Sequence, residues 1–353
     1  MEAYFKAQAG LHPAMRPRDA LKACYQAAFG AEHMIADPAS ARRYLHEEMR
    51  ACPADAALPL TEALSPDTCR VNLSAWKASG LPESLPAEAF LRSCAPRTDG
   101  MERFSSCLRV VDRLAAAGEL PFSAADWQAE KREYLDEGVR PVHHSDAYRA
   151  AEHPAYRVVS FRYARTLRLL ASLGGDRRQI IALDGRCASG KSTLADDLAS
   201  LAGASTVHMD DFFLPAALRT PERLGAPGGN VHIERFRDEV LPGLRGGAAF
   251  AYRRFDCGKM ALDGLRDVPA SDLYIVEGAY SCHPALGAYM TLRAFSDIDP
   301  ETQRARILRR EGKAGLERFL TRWIPMEERY IAAFGIREKA DLILPAQAQP
   351  GGW

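Results

Sequence analysis

Residues 179–193 read QIIALDGRCASGKST. An apolar, β-branched run ends at Asp184. Gly185-Arg186-Cys187-Ala188-Ser189-Gly190-Lys191-Ser192 then satisfies G-x-x-x-x-G-K-[ST] in full, and Thr193 opens a helical stretch, TLADDLASLAG. Strand, glycine-bounded loop and helix in that order make a phosphate-binding loop. The glycines let backbone amides close around an anion, and the helix N-terminus adds the positive end of its dipole. Lys191 is placed for the β and γ oxygens of a nucleoside triphosphate, and the Ser192 hydroxyl for Mg2+. Nucleotide-binding residues are therefore expected from Gly185 through Thr193.

A phosphate loop alone does not separate a kinase from a GTPase or an ATP-driven machine. Guanine-specific enzymes read their base with N/T-K-x-D; the nearest approach here, Glu338-Lys339-Ala340-Asp341, has the wrong first residue. Elsewhere, acids stand at strand ends. STVHM (205–209) leads into Asp210-Asp211-Phe212-Phe213, and LYIVE (273–277) ends in Glu277 before Gly278. Carboxylates at the C-terminal ends of parallel strands face the crevice where α/β proteins bind ligands. One acid there can accept the proton of an attacking hydroxyl, and another can hold Mg2+. Ser192, Glu277 and Asp210 are the candidate metal residues. Asp210 and Asp211 could instead cap the following helix. Arg306, Arg309 and Arg310 are spaced to share one helical face, either solvated or closed over a γ-phosphate.

Five apolar runs, 179–184, 205–209, 273–277, 292–298 and 340–345, alternate with helical stretches over the second half of the 353 residues. That is the grammar of a parallel sheet with helices on both faces. The first half reads as helices. Leu21, Cys24, Tyr25, Ala28 and Phe29 form one stripe, and Phe104, Cys107, Leu108, Val111 and Leu114 another, while Ser123 and Asp126 resemble a capping box. The expected organisation is a mainly α-helical domain over 1–150, a linker and connecting helix over 151–176, and an α/β P-loop NTPase domain over 177–353. The tail QAQPGGW (347–353) reads as loose.

Lys+Arg and Asp+Glu each number 46, balanced on both sides of Gly174. This removes the electrostatic footprint expected of a nucleic-acid or anionic-membrane binder. The N-terminus lacks a signal-peptide core, no run reaches membrane-spanning length, and the eight cysteines form no C-x-x-C pair. A cytoplasmic chain with reduced thiols is expected. His143-His144 is set aside as a metal pair, because adjacent side chains point apart and the flanks read as linker. Cys187 lies near a helix N-terminus, which could lower its pKa, though it reads more simply as a small side chain that fits. Phe212-Phe213 could wall an acceptor site or belong to the core.

IALDGRCASGKST, VHMDDFF, YRRFD, LYIVEGAY, the Asp297-Ile298-Asp299 stretch before ARILRREG, and ADLILP together resemble the uridine kinase and phosphoribulokinase group of P-loop kinases. The resemblance covers about 179–345 and implies a nucleoside-kinase-like fold with ATP and Mg2+ as cofactors. It implies that Asp210 is the catalytic base, that Lys191, Arg306 and Arg309 neutralise phosphate charge, and that Glu277 and Ser192 coordinate Mg2+. Phe255-Asp256 matches the family's Tyr-Asp beside the nucleoside base. In Asn230-Val231-His232 a histidine replaces the family's ribose-gripping aspartate, and the base-reading histidine is absent from CGKMAL. Phe213, His232, Phe255 and Asp256 are thus the candidate substrate residues, around an altered pocket. The expected function is γ-phosphate transfer to a hydroxyl of a small-molecule acceptor. A non-nucleoside acceptor such as a sugar or pantothenate-like alcohol, or a non-catalytic ATP-responsive binding protein, is the alternative. A homo-oligomer is left open.

Overall fold

In the computed structural model, which describes residues 1–31, 37–94, 97–174 and 178–346, the two apolar stripes of the first half become the interior of one unit, Met1–Ala171. Its helices are α1 (Glu2–Leu11), α2 (Pro17–Phe29), α3 (Pro38–Ala51), α4 (Leu73–Ala78), α5 (Ser84–Arg92), α6 (Gly100–Ala116), α7 (Ala124–Asp136), α8 (Asp146–Glu152) and α9 (Phe161–Ala171). Leu21, Cys24 and Ala28 of α2 meet Phe104, Val111 and Leu114 of α6 in a core that also holds Phe5 and Trp127. Proline at the first position opens α2, and the Arg16 amide donates to Asp19 Oδ2 at 2.9 Å. Ser123 Oγ caps α7 by accepting from the Asp126 amide at 3.1 Å.

The unit also contains a three-stranded antiparallel sheet, β1 (Thr61–Ser65), β2 (Thr68–Asn72) and β3 (Tyr156–Ser160), in that order. Residues 151–171, read as linker and connecting helix, fold here as the end of α8, strand β3 and helix α9. The reason is local: Val158 and Val159 are buried on a pleated strand that pairs with β2, and α9 buries Ala164, Leu167, Leu169 and Leu170. Adjacent histidines part company as expected. His144 is buried, with Nδ1 2.7 Å from Asp19 Oδ1 and Nε2 2.7 Å from the Tyr156 hydroxyl, while His143 is exposed.

The second unit is Ser172–Ala346. In chain order it comprises β4 (Gln179–Gly185), α10 (Lys191–Ala202), β5 (Ser205–His208), α11 (Pro221–Gly225), α12 (Ile233–Glu239), α13 (Leu241–Gly246), β6 (Phe250–Asp256), β7 (Ala261–Val268), β8 (Leu273–Glu277), β9 (Leu292–Asp297), α14 (Pro300–Arg318), α15 (Ile324–Phe334) and β10 (Leu342–Pro345). Five strands form a parallel sheet in the order β10-β9-β4-β8-β5. The runs are apolar because helices cover the sheet; every residue of β8 is buried. The chain leaves β4 towards β5 on one side and leaves β9 towards β10 on the other. The crevice beyond the ends of β4 and β9 is therefore the topological switch point. This is a P-loop fold, with the glycine-bounded loop at the end of the central strand. One departure stands out: residues 250–268 form an antiparallel hairpin, β6–β7, outside the main sheet.

The tail 347–353 lies outside the described residues. Among the described residues, no helix is long and apolar enough to cross a membrane.

Candidate active site

The loop between β4 and α10 has the backbone its sequence demands. Gly185 has φ +136°, and a Cβ there would sit 2.2 Å from the Ser296 carbonyl oxygen of β9. Only glycine lets the two strands stay paired at that point. Ala188 and Gly190 have φ of +60° and +89°, left-handed turns that help curl the loop's amides into an anion-binding concavity ahead of α10. Lys191 Nζ donates to the carbonyls of Gly185 and Arg186 at 2.8 and 2.9 Å, so its ammonium is held at the loop. Arg186 turns elsewhere. Its guanidinium pairs with Asp297 and, at 2.5 Å, with Glu328 Oε1.

Beside the loop, Ser192 Oγ donates to Glu277 Oε2 at 3.2 Å, and His208 Nδ1 lies 2.7 Å from Glu277 Oε1. His208 and Glu277 are register partners at the ends of β5 and β8, so sheet pairing itself sets this contact. Gly278 permits the close approach: with φ +130°, a Cβ would come 2.8 Å from Met209 Cβ.

The doublet Asp210-Asp211 splits by direction. Asp211 is buried, accepts from the Tyr252 hydroxyl at 2.9 Å and pairs with Arg266, tying the hairpin to the end of β5. Asp210 instead lines a cavity of about 840 Å³, together with Lys191, Ser192 and Glu277, and has no hydrogen-bond or ion-pair partner among the described residues. Its surface is open to that cavity, yet protein walls surround it. They raise its pKa by desolvation, Glu277 adds to the rise, and Lys191 opposes it.

Arg306, Arg309 and Arg310 of α14 all reach the same cavity. Arg306 is anchored on the Ala188 carbonyl at 3.1 Å, and burial, then Arg309, holds its pKa below the ordinary arginine value. Of the aromatic doublet, Phe212 is fully buried in the core. Phe213 lines the cavity, its ring 6.3 Å from that of Trp323. His232, Phe255 and Asp256 are not part of the cavity wall. Phe255 is buried, Asp256 Oδ1 accepts from the amides of Gly258 and Lys259 at the hairpin turn, and His232 lies about 4.0 Å from Glu234. In the D-x-D stretch, Asp297 pairs with Arg186 and Arg337, and Asp299 caps α14.

Glu327, Cys187 and Asn230 also line this cavity. Glu327 of α15 accepts from the Cys187 amide at 2.8 Å; its pKa is raised by burial, against the pull of Lys191. The Cys187 thiol is also pushed up, by burial and then by Glu327, so the helix N-terminus does not activate it. Asn230 is buried at the wall. Burial raises the pKa of the nearby Tyr280, against the influence of the Asn230 amide, which itself meets no partner at hydrogen-bond geometry among the described residues. Arg219, Met260 and Trp323 line the cavity as well. Glu327 could be found only through the packing of α15, 140 residues along the chain.

No family model and no curated protein matches the chain. Solved structures do. One is described as a possible uridine kinase from Bacillus stearothermophilus, at 19% identity and a TM-score of 0.41, covering 51% of this chain and 97% of that one. A second, provisionally described as a fructose transport system kinase from Silicibacter sp. TM1040, has 25% identity and a TM-score of 0.41, covering 52% and 98%. A third, TT1252 from Thermus thermophilus, has 19% identity and a TM-score of 0.31, covering 48% and 89%.

The donor set fits a magnesium nucleotide. Mg2+ is commonly held by one or two carboxylates with the substrate's own phosphates. Here a serine hydroxyl and the Glu277 carboxylate meet beside a loop whose shape a Cβ at position 185 would destroy.

Proposed function

We propose that the second unit is an ATP-dependent phosphotransferase that moves a γ-phosphate to a hydroxyl of a small molecule. The observation that carries this reading is the place of Asp210: a carboxylate without a partner, on the same cavity as Lys191, Ser192 and Glu277. Its neighbour Asp211, by contrast, is buried and paired with Tyr252 and Arg266.

The nucleotide's phosphates would lie on the amides from Gly185 to Thr193, at the head of α10. Lys191 would leave its carbonyl partners for the phosphate oxygens, and Arg306 and Arg309 would face the charge of the transferring group. Ser192 and Glu277 would hold Mg2+, with Asp210 the remaining carboxylate of the acidic set; bound there, the ion neutralises phosphate charge. His208 fixes the orientation of the Glu277 carboxylate. Asp210 would take the proton from the incoming hydroxyl, and its raised pKa makes it a stronger base for that step. Phe213, Trp323, Met260 and Arg219, which line the same cavity, would be the residues to meet an acceptor. A nucleoside is one candidate. The absence of His232, Phe255 and Asp256 from the wall favours a non-nucleoside alcohol such as a sugar or pantothenate-like acceptor.

Purified protein with Mg-ATP and a panel of nucleosides, sugars and pantothenate should release ADP only when the right acceptor is present. Lys191→Ala should abolish that release while the protein stays folded. Tight ATP binding without turnover on any alcohol would favour the non-catalytic, ATP-responsive alternative, and an active Lys191→Ala would remove the loop from the mechanism.

A further inference from the structure

The first unit contains a second cavity, of about 370 Å³, whose wall includes Lys22, Tyr25, Gln26, Tyr44, Phe90 and Arg157. Two cations, Lys22 and Arg157, and one carboxylate, Asp37, stand on that wall. Gln26 is buried, and its Oε1 accepts from Arg70 Nη2 at 2.9 Å, from Arg70 Nε at 3.3 Å and from the Tyr156 hydroxyl at 3.3 Å. Arginine cannot accept, so these contacts fix the amide's orientation and leave Nε2 as a donor with no partner among the described residues. Lys22 likewise has no hydrogen-bond or ion-pair partner among them.

The nearby carboxylates are already engaged. Asp19 accepts from the Ser145 hydroxyl at 2.7 Å and the Arg16 amide at 2.9 Å, and contacts His144. Asp37 takes the Ala39 and Ser40 amides at the head of α3. Glu48 pairs with Arg157, whose guanidinium also lies 5.5 Å from the Tyr44 ring centroid and 5.8 Å from that of Phe90. A cation and an amide donor are thus left over beside aromatic walls.

We infer that this cavity binds a small organic oxyanion, a carboxylate or phosphate on an apolar body, with the anionic oxygens on Lys22 and Gln26 Nε2 and the body against Tyr25, Tyr44 and Phe90. The state of Lys22 agrees: burial, then the nearby Arg70, lowers its pKa to about 8, a cost that a bound anion would offset. The inference is independent of the phosphotransferase reading, because every residue it uses lies in the first unit.

Benzoate and phenyl phosphate probe the two anions, with benzyl alcohol as the neutral control, by calorimetric titration of the full chain. At least one anion should bind, and tighter than benzyl alcohol by roughly tenfold or more, the range for a hydrogen bond to a charged group. Lys22→Met should remove that advantage and Lys22→Arg should retain most of it. Lys191→Ala should leave it unchanged, which separates this cavity from the phosphate loop. Equal binding of all three probes, or binding of none, would overturn the inference. So would anion binding that survives Lys22→Met or disappears in Lys191→Ala. If Lys22→Met does not fold, the comparison of the three probes on the unaltered chain still decides.

Discussion

Asp210 and Asp211 are neighbours with opposite chemistry, and the difference has a thermodynamic signature. Asp210 is held above the ordinary carboxylate range, so the folded protein binds its proton more readily than the unfolded chain does. Stability is therefore lost as pH rises from the unfolded value, about 4, through the folded one. Asp210→Asn removes that loss. The variant should melt at a higher temperature than the parent near neutral pH, with the gap closing as pH falls towards 4; scanning fluorimetry across pH 4–8 measures this, and a less stable variant would contradict it. Replacing Asp184 should have the opposite effect on stability, although burial raises its pKa too. Fully buried, it accepts from the amides of Gly185, Tyr280 and Cys282 and from the Tyr330 hydroxyl at 2.7–3.3 Å. Asp184→Ala leaves these donors unpaired and should destabilise the second unit by about 3 kcal/mol or more in urea titrations, at 1–3 kcal/mol per orphaned group. In the sequence Asp184 is only the last residue of an apolar run, whereas Asp210 is legible because a strand delivers it to the crevice. Glu327 has no such position code, since its place on the wall comes from tertiary packing, and Asn230 was marked only by its place in the Asn230-Val231-His232 stretch.

At the scale of elements, the parallel strands were legible because burial on both faces leaves near-continuous apolar runs; β8 matches its expected bounds, and β4 runs one residue further, into Gly185. The hairpin β6–β7 was not, because eight of its fifteen strand residues are exposed and charges interrupt any apolar run, and YRRFD reads as motif rather than strand. β1, β2 and β3 escaped for another reason: polar residues such as Glu62, Arg70 and Arg157 break up the continuous apolar run that marks the parallel strands. The β4–loop–α10 unit makes a sharp demand at its first glycine. Gly185→Ala places a methyl against the backbone of Ser296 in a φ region that L-residues rarely adopt, and the β4–β9 pairing must give way. The variant should lose about 3 kcal/mol or more of stability, or accumulate as insoluble protein, and lose ATP binding with it. A soluble Gly185→Ala protein that binds ATP normally would show that the loop's tight turn is not required.

At the scale of the whole molecule, each unit has its own hydrophobic core, around Leu21, Phe104 and Trp127 in one and Phe236, Tyr274 and Phe295 in the other. Residues 1–171 and 172–353 should therefore each show a cooperative thermal transition when expressed alone, and the second fragment should retain Mg-ATP binding; a fragment with no transition would contradict the division. The change of grammar between halves was readable, with helical stripes giving way to strand–helix alternation. The place of 151–171 was not, because β3 is recognisable only once β2, some 85 residues earlier, pairs with it. The role of the second unit rests on one carboxylate beside one phosphate loop. The most direct measurement is acceptor-dependent ADP release by Asp210→Asn and the parent protein, with ATP affinity measured on the same samples. Turnover should fall by roughly a hundred- to ten-thousand-fold, the usual contribution of a general base, while ATP affinity holds. A variant that turns over like its parent would contradict the account.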